Sequence, residues 1–172
     1  MSKFESAPMP KPVINLDELT LVHTADGPFE ETYGPISERI GAKRLGYSVT
    51  TVPPGKKSCP FHNHQVGEEM FFILEGSGTL RFGDRTLPLR KYDVIACPPG
   101  AREVAHQIIN TSDADLKYFC LGTQDEHEVC EYPDSDKVGV FIGTPGIRRM
   151  RALFKAKSAV DYMDGERTGD KV

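Results

Sequence analysis

Pro60-Phe61-His62-Asn63-His64-Gln65-Val66-Gly67-Glu68-Glu69-Met70-Phe71-Phe72-Ile73-Leu74-Glu75-Gly76 is the stretch on which the reading of this chain turns. Residues two apart in a strand share a face, so His62 and His64 can aim both imidazoles at one point. The apolar run behind them alternates in the same way, with Glu69, Phe71 and Ile73 on one face and Met70, Phe72 and Leu74 on the other. A carboxylate at the head of a core strand needs a partner, because an unpaired buried charge is costly. A third imidazole enters an apolar strand at His106, with Ile108 and Asn110 on its side. Three imidazoles and one carboxylate suit one divalent transition metal ion, Fe, Mn, Ni or Zn, whereas Ca and Mg prefer oxygen ligands.

Outward from this stretch, strand-length segments run over 44–52, 69–74, 78–82, 93–97, 103–110 and 116–121. Pro53-Pro54-Gly55, Gly76-Ser77-Gly78, Gly83-Asp84, Pro98-Pro99-Gly100 and Ser112-Asp113 punctuate them with turn chemistry. Short strands at this spacing predict an all-β sandwich or closed barrel. Residues 1–40, with prolines at 8, 10, 12, 28 and 35, read as an extended arm that packs on the barrel or on a partner subunit. Residues 41–123 form the barrel in this reading, and 124–172 an extension that completes the domain, with a strand over 138–142. A short C-terminal helix is expected over 147–160, where Met150, Leu153 and Phe154 recur at helical spacing among basic residues.

Composition narrows the function classes. The 172 residues fit one domain, with 38% hydrophobic and 27% charged residues. A balance of 21 Lys and Arg against 25 Asp and Glu gives a net charge of −4, which argues against a nucleic-acid partner. No apolar run approaches the roughly 18 residues needed to span a bilayer. The start, MSKFESAPMPKP, lacks the apolar core of a secretory signal, so a cytoplasmic protein is expected. Cys59, Cys97, Cys120 and Cys130 form no Cys-x-x-Cys pair and read as reduced, structural thiols. The Met70, Phe72 and Leu74 face, together with the arm, predicts a homodimer with arm exchange.

The motifs resemble those of the cupin superfamily, the double-stranded β-helix or jelly-roll barrels. The first family motif, approximately Gly-x5-His-x-His-x(3 to 4)-Glu-x6-Gly, is matched by Gly55, His62, His64, Glu69 and Gly76, with six residues rather than five in the first interval. The second, approximately Gly-x5-Pro-x-Gly-x2-His-x3-Asn, is matched by Pro98, Gly100, His106 and Asn110. Tyr92 stands at its leading glycine, and five residues rather than two precede His106. Fifteen residues, 77–91, separate the motifs, as in compact bacterial single-domain cupins. The resemblance implies His62, His64, Glu69 and His106 as metal ligands, leaving about two positions open for substrate or water. It implies a small-molecule substrate: a metal-dependent enzyme on an oxygen-rich metabolite, sugar- or sugar-phosphate-like, in an isomerase-type proton transfer. The alternatives are a metal-dependent dioxygenase and a non-catalytic ligand-binding or structural barrel. Tyr47, Arg81 and Asn110 are the candidates for contacting substrate, while His23 and His127 lack partners at ligand spacing.

Overall fold

The computed structural model describes residues 11–144 and 146–166. Its regular structure is almost entirely strand. A hairpin of β1 (Val22–Asp26) and β2 (Phe29–Pro35) leads through one helical turn, α1 (Ser37–Ile40), into β3 (Leu45–Val52). There follow β4 (Asn63–His64), β5 (Glu69–Glu75), β6 (Ser77–Phe82), β7 (Arg85–Arg90), β8 (Val94–Cys97), β9 (His106–Ile109), β10 (Leu116–Thr123), β11 (His127–Tyr132), β12 (Lys137–Ile142) and β13 (Met150–Lys155).

One antiparallel sheet has the order β1-β2-β3-β10-β5-β8. Facing it lie β13-β12-β11-β4 and β7-β6-β9, which an antiparallel bridge between His62 and His106 joins. Between the two layers Val52, Phe71, Ile73, Leu80, Leu89, Ile95, Ile108, Leu116 and Tyr118 form the main core. Strand alternation decides which side chains enter it, since Phe71 and Ile73 point inward while Leu74 belongs to a second cluster on the outer face. The functional side chains sit where β4, β5 and β9 meet.

The N-terminal segment is not simply extended. From residue 11 it folds into the hairpin, and β2 pairs with β3 through Tyr33↔Thr50 and its neighbours. Ile14, Leu16, Leu19, Ile36 and Ile40 then cover Val49, Tyr47, Leu74 and Phe119 on the outer face of the large sheet. Part of the apolar surface that the sequence would offer a partner is thus covered by the chain itself. The first ten residues of the expected arm lie outside the described residues.

The expected helix over 147–160 is replaced by β13, which pairs with β12 from Lys137↔Lys155 to Ile142↔Met150, and by a short 3-10 turn at Ala156–Ser158. Met150, Leu153 and Phe154 fit a helical repeat, but in a strand Leu153 and Phe154 point to opposite faces. An available β12 edge outweighs so short an amphipathic pattern. Similarly, only His106–Ile109 of the strand expected over 103–110 is strand, because Arg102–Val104 close a 3-10 turn before it.

Two backbone positions explain motif residues. Gly76 has φ +81°, and a Cβ there would strike the carbonyl oxygen of Asp115. Tyr92, at the position where the motif has glycine, has φ +76°, a region that disfavours side chains. Its ring stacks on Phe72 with centroids 6.3 Å apart, and its N–H donates to the Ile73 carbonyl at 2.8 Å.

Candidate functional site

Three imidazoles converge on one carboxylate oxygen. Nε2 of His106, His64 and His62 lie 3.1, 3.4 and 3.8 Å from Oε2 of Glu69. The four side chains meet around this oxygen, but they divide into two groups: His62, Glu69 and His106 offer ligand atoms within 4.8 Å of one another, and His64 groups likewise with Glu128 and Cys130. His62 immediately precedes β4 and His64 ends it, Glu69 opens β5, and His106 opens β9 directly across the bridge from His62.

Each histidine is turned by a bond to its other nitrogen. Nδ1 of His62 lies 2.9 Å from the Pro60 carbonyl, and Nδ1 of His106 lies 3.3 Å from the Val104 carbonyl. Nδ1 of His64 lies 3.4 Å from Oε2 of Glu128 and 3.3 Å from Sγ of Cys130. Acceptors at Nδ1 orient each ring so that its Nε2 faces inward, toward Glu69. Nε2 of His64 is buried without a hydrogen-bond partner among the described residues. The donor set of His62, Glu69 and His106, with this imidazole nitrogen aimed at the same carboxylate oxygen, fits a divalent transition metal.

Glu128 is the residue that sequence spacing does not reveal. It comes from β11, 59 positions after Glu69. Its carboxylate accepts the N–H groups of Gln65 (3.1 Å), Val66 (3.2 Å), Gly67 (2.6 Å) and Val129 (2.8 Å). The 65–67 loop joining β4 to β5 is therefore wrapped around one buried carboxylate that also touches His64. Gly67 permits this, since a Cβ there would sit 2.6 Å from Oε2 of Glu128. The available signal was an acid at a buried parity of β11, beside the likewise buried Cys130, but that strand was weakly patterned.

Electrostatics follow from the packing. Burial pushes His62 down to about 4, with His106 adding to the effect. Burial also works against a proton on His64, yet Cys130, Glu128 and Glu69 outweigh it and raise that imidazole to about 12. Burial would raise Glu69, but His106 and His64 hold it well below the usual carboxylate range. Glu128 is likewise lowered, because His64 and the Gly67 N–H offset its burial. A metal ion held by His64 would have to displace a proton from it.

His62, His64 and Glu69 open onto a cavity of about 460 Å³, within the range of small-molecule sites. Its other walls include Cys59, Tyr132, Phe141, Arg148 and Arg151. Burial raises the Cys59 thiol to about 12 and raises the Tyr132 phenol, so both keep their protons at neutral pH. Tyr132 stacks on His62 with centroids 6.1 Å apart.

Tyr47, Arg81 and Asn110 lie away from this cavity. Tyr47 belongs to the outer cluster and lines a separate 390 Å³ cavity, which Glu69 also borders. Arg81 points outward from β6, pairs with Asp134 at 2.6 Å, and covers the Phe61 ring at 3.7 Å. Asn110, fully buried, donates to the Val52 and Ala114 carbonyls and accepts from Ser112, so its polar atoms tie the β9–β10 turn to the end of β3.

The profile of the cupin domain family matches residues 48–122. An uncharacterised protein of Methanocaldococcus jannaschii is 33% identical over 82 residues, which is 48% of this chain and 55% of that protein. The oxalate-binding protein of Thermotoga maritima is 27% identical over 84 residues, 49% of this chain and 66% of that one. The chain thus spans little more than half the length of the first curated relative. A solved structure from Acidithiobacillus ferrooxidans, assigned as a sugar phosphate isomerase, superimposes with a TM-score of 0.77 at 21% identity, covering 88% of this chain and 96% of that one. At that identity the likeness is one of fold. Among the described residues no helix is long and apolar enough to cross a membrane.

Proposed function

We propose that this chain, whose residues 48–122 match the cupin domain family, is a mononuclear metalloprotein that binds a small oxygen-rich metabolite and catalyses an isomerase-type proton transfer on it. One observation carries the reading: three Nε2 atoms within 3.8 Å of a single Glu69 oxygen, at the wall of a metabolite-sized cavity. His62, His64, Glu69 and His106 would hold one Fe, Mn, Ni or Zn ion. When bound, the ion polarises substrate oxygens and stabilises negative charge developing on them. The protonated Tyr132 hydroxyl is suited to donate to a substrate oxygen. The Cys59 thiol, also protonated, keeps that side of the cavity uncharged. The likeness in fold to a protein assigned as a sugar phosphate isomerase supports a sugar-like substrate.

A second reading, dioxygen chemistry or non-catalytic ligand capture, is favoured by one observation. Glu128, the other carboxylate bordering the cavity, already accepts four N–H groups. It is poorly placed to take a proton from carbon. The curated likeness to an oxalate-binding protein is compatible with capture.

Elemental analysis of untagged protein tests the centre. About one equivalent of metal is expected, lost in His62→Ala and Glu69→Gln; none after reconstitution overturns it. Incubation of metal-loaded protein with aldoses, ketoses and their phosphates in D2O tests the reaction. Metal-dependent deuterium incorporation at carbon is expected, while oxygen uptake or binding without exchange favours the second reading. We also propose a cytoplasmic homodimer, which a gel-filtration mass near 19.1 kDa would refute.

A further inference from the structure

The wall opposite the histidines carries two arginines that the proposed centre does not use. We infer that Arg148 and Arg151 form an anion-recognition subsite, which takes a phosphate or carboxylate group at the far end of a substrate whose oxygens reach the His62, His64 and Glu69 wall. The inference rests on the metal-cavity reading and adds the charge and polarity of the substrate.

Strand register puts the two ends on one face. His64 pairs with Cys130, Cys130 with Gly139, and Gly139 with Leu153, two residues along β13 from Arg151. Alternation gives Arg151 the same face as Leu153, and Arg151 itself pairs with Phe141, a residue of the cavity wall. Three strand spacings, roughly 14 Å at the backbone, separate His64 on β4 from β13. The long arginine side chains reach back across this gap to line the cavity.

Their charge is available. Among the described residues neither Arg148 nor Arg151 has a carboxylate within ion-pair distance, whereas Arg81 is committed to Asp134 and Arg90 lies beside Asp93. Arg148 is also held in place: one Nη donates to the Gly143 carbonyl at 3.1 Å, and the guanidinium lies 5.3 Å from the centre of the Phe141 ring. A positioned, planar fork with spare N–H donors matches an oxyanion better than a mobile ammonium would. In a chain of net charge −4, two unpaired guanidiniums on a partly apolar cavity wall select anions.

The test uses the full chain, metal-loaded and after chelation, in wild type, Arg148→Gln, Arg151→Gln and the double variant. Calorimetric titration with inorganic phosphate, gluconate and, as the neutral control, sorbitol separates the two anion sources. At least one anion should bind the wild type, and the double variant should weaken it on the order of tenfold or more with metal content unchanged. A preference for phosphate identifies a phosphate ester as substrate class; a preference for gluconate identifies a sugar acid. Equal anion affinity in wild type and double variant, or no anion binding at all, overturns the inference. If the wild type holds no metal yet the arginine-dependent binding persists in chelated protein, the centre fails and the subsite stands.

Discussion

Replacing Glu128 by Gln removes one charge and almost no volume. The carboxylate accepts four backbone N–H groups and touches Nδ1 of His64 at 3.4 Å. One amide oxygen can keep the Gln65, Val66 and Val129 bonds, but the amide nitrogen then faces the N–H of Gly67 and His64. A buried donor loses its charged acceptor, which costs about 2–3 kcal/mol. For a chain of this length that is a drop of roughly 4–12 °C in melting temperature. The imidazole also loses the acceptor that orients it, and metal affinity should fall about 10- to 100-fold. Glu128 helps hold a proton on metal-free His64, so wild-type metal uptake is the more strongly opposed by acid and the deficit of the variant should widen as pH rises. Chelator competition at several pH values reads the affinity, and calorimetry the stability. Glu131→Gln serves as control, since Glu131 on the other face of β11 accepts from Asn63 at 3.2 Å. Glu128→Gln with wild-type melting and metal affinity would refute the argument that this carboxylate builds the site.

Tyr92→Gly should relieve a backbone strain of about 1–3 kcal/mol but lose the stacking on Phe72, leaving thermal stability equal to or above wild type; a clear loss would show that the ring contact dominates. Asn110→Ala strips the buried Val52 carbonyl of its side-chain donor and should destabilise by about 2–4 kcal/mol without changing metal content, measured by denaturant unfolding and elemental analysis. Arg81 holds the Asp134 carboxyl below its usual value by a hydrogen bond, so this surface pair is present above about pH 3.9 and is lost as pH falls through the lowered value. Arg81→Ala should raise the Asp134 titration midpoint seen by NMR and change stability at pH 7 by less than about 1 kcal/mol; an unmoved midpoint would contradict the pairing.

Period-two alternation made much of this chain legible. Glu69, Phe71 and Ile73 share the inner face, and His62 and His64 share another, because a pleated strand leaves little choice once one residue is fixed. His106 was legible by its apolar surroundings, although its loop is longer than the motif. Glu128 was not, because its role arises from wrapping a loop contributed by a different strand. The helix expected at 147–160 failed for a related reason: six residues can satisfy a helical and a strand repeat together, and the edge of β12 makes the decision. Asn110 was expected within a strand but lies just past the end of β9, and its four hydrogen-bonding capacities are filled by Val52 of β3 and by Ser112 and Ala114 of the turn.

The four converging side chains all lie within residues 48–122, whereas Glu128, Tyr132, Phe141 and Arg151 come from the strands that follow and Arg148 from the turn between the last two. The molecule is divided much like a tool with a fixed shank and an exchangeable bit. Recombining the later hairpin with that of another barrel should redirect what enters the cavity while leaving the four converging side chains unaltered, provided the incoming strand keeps an acid where Glu128 stands. That single acid is the coupling by which any transplanted hairpin must be fastened.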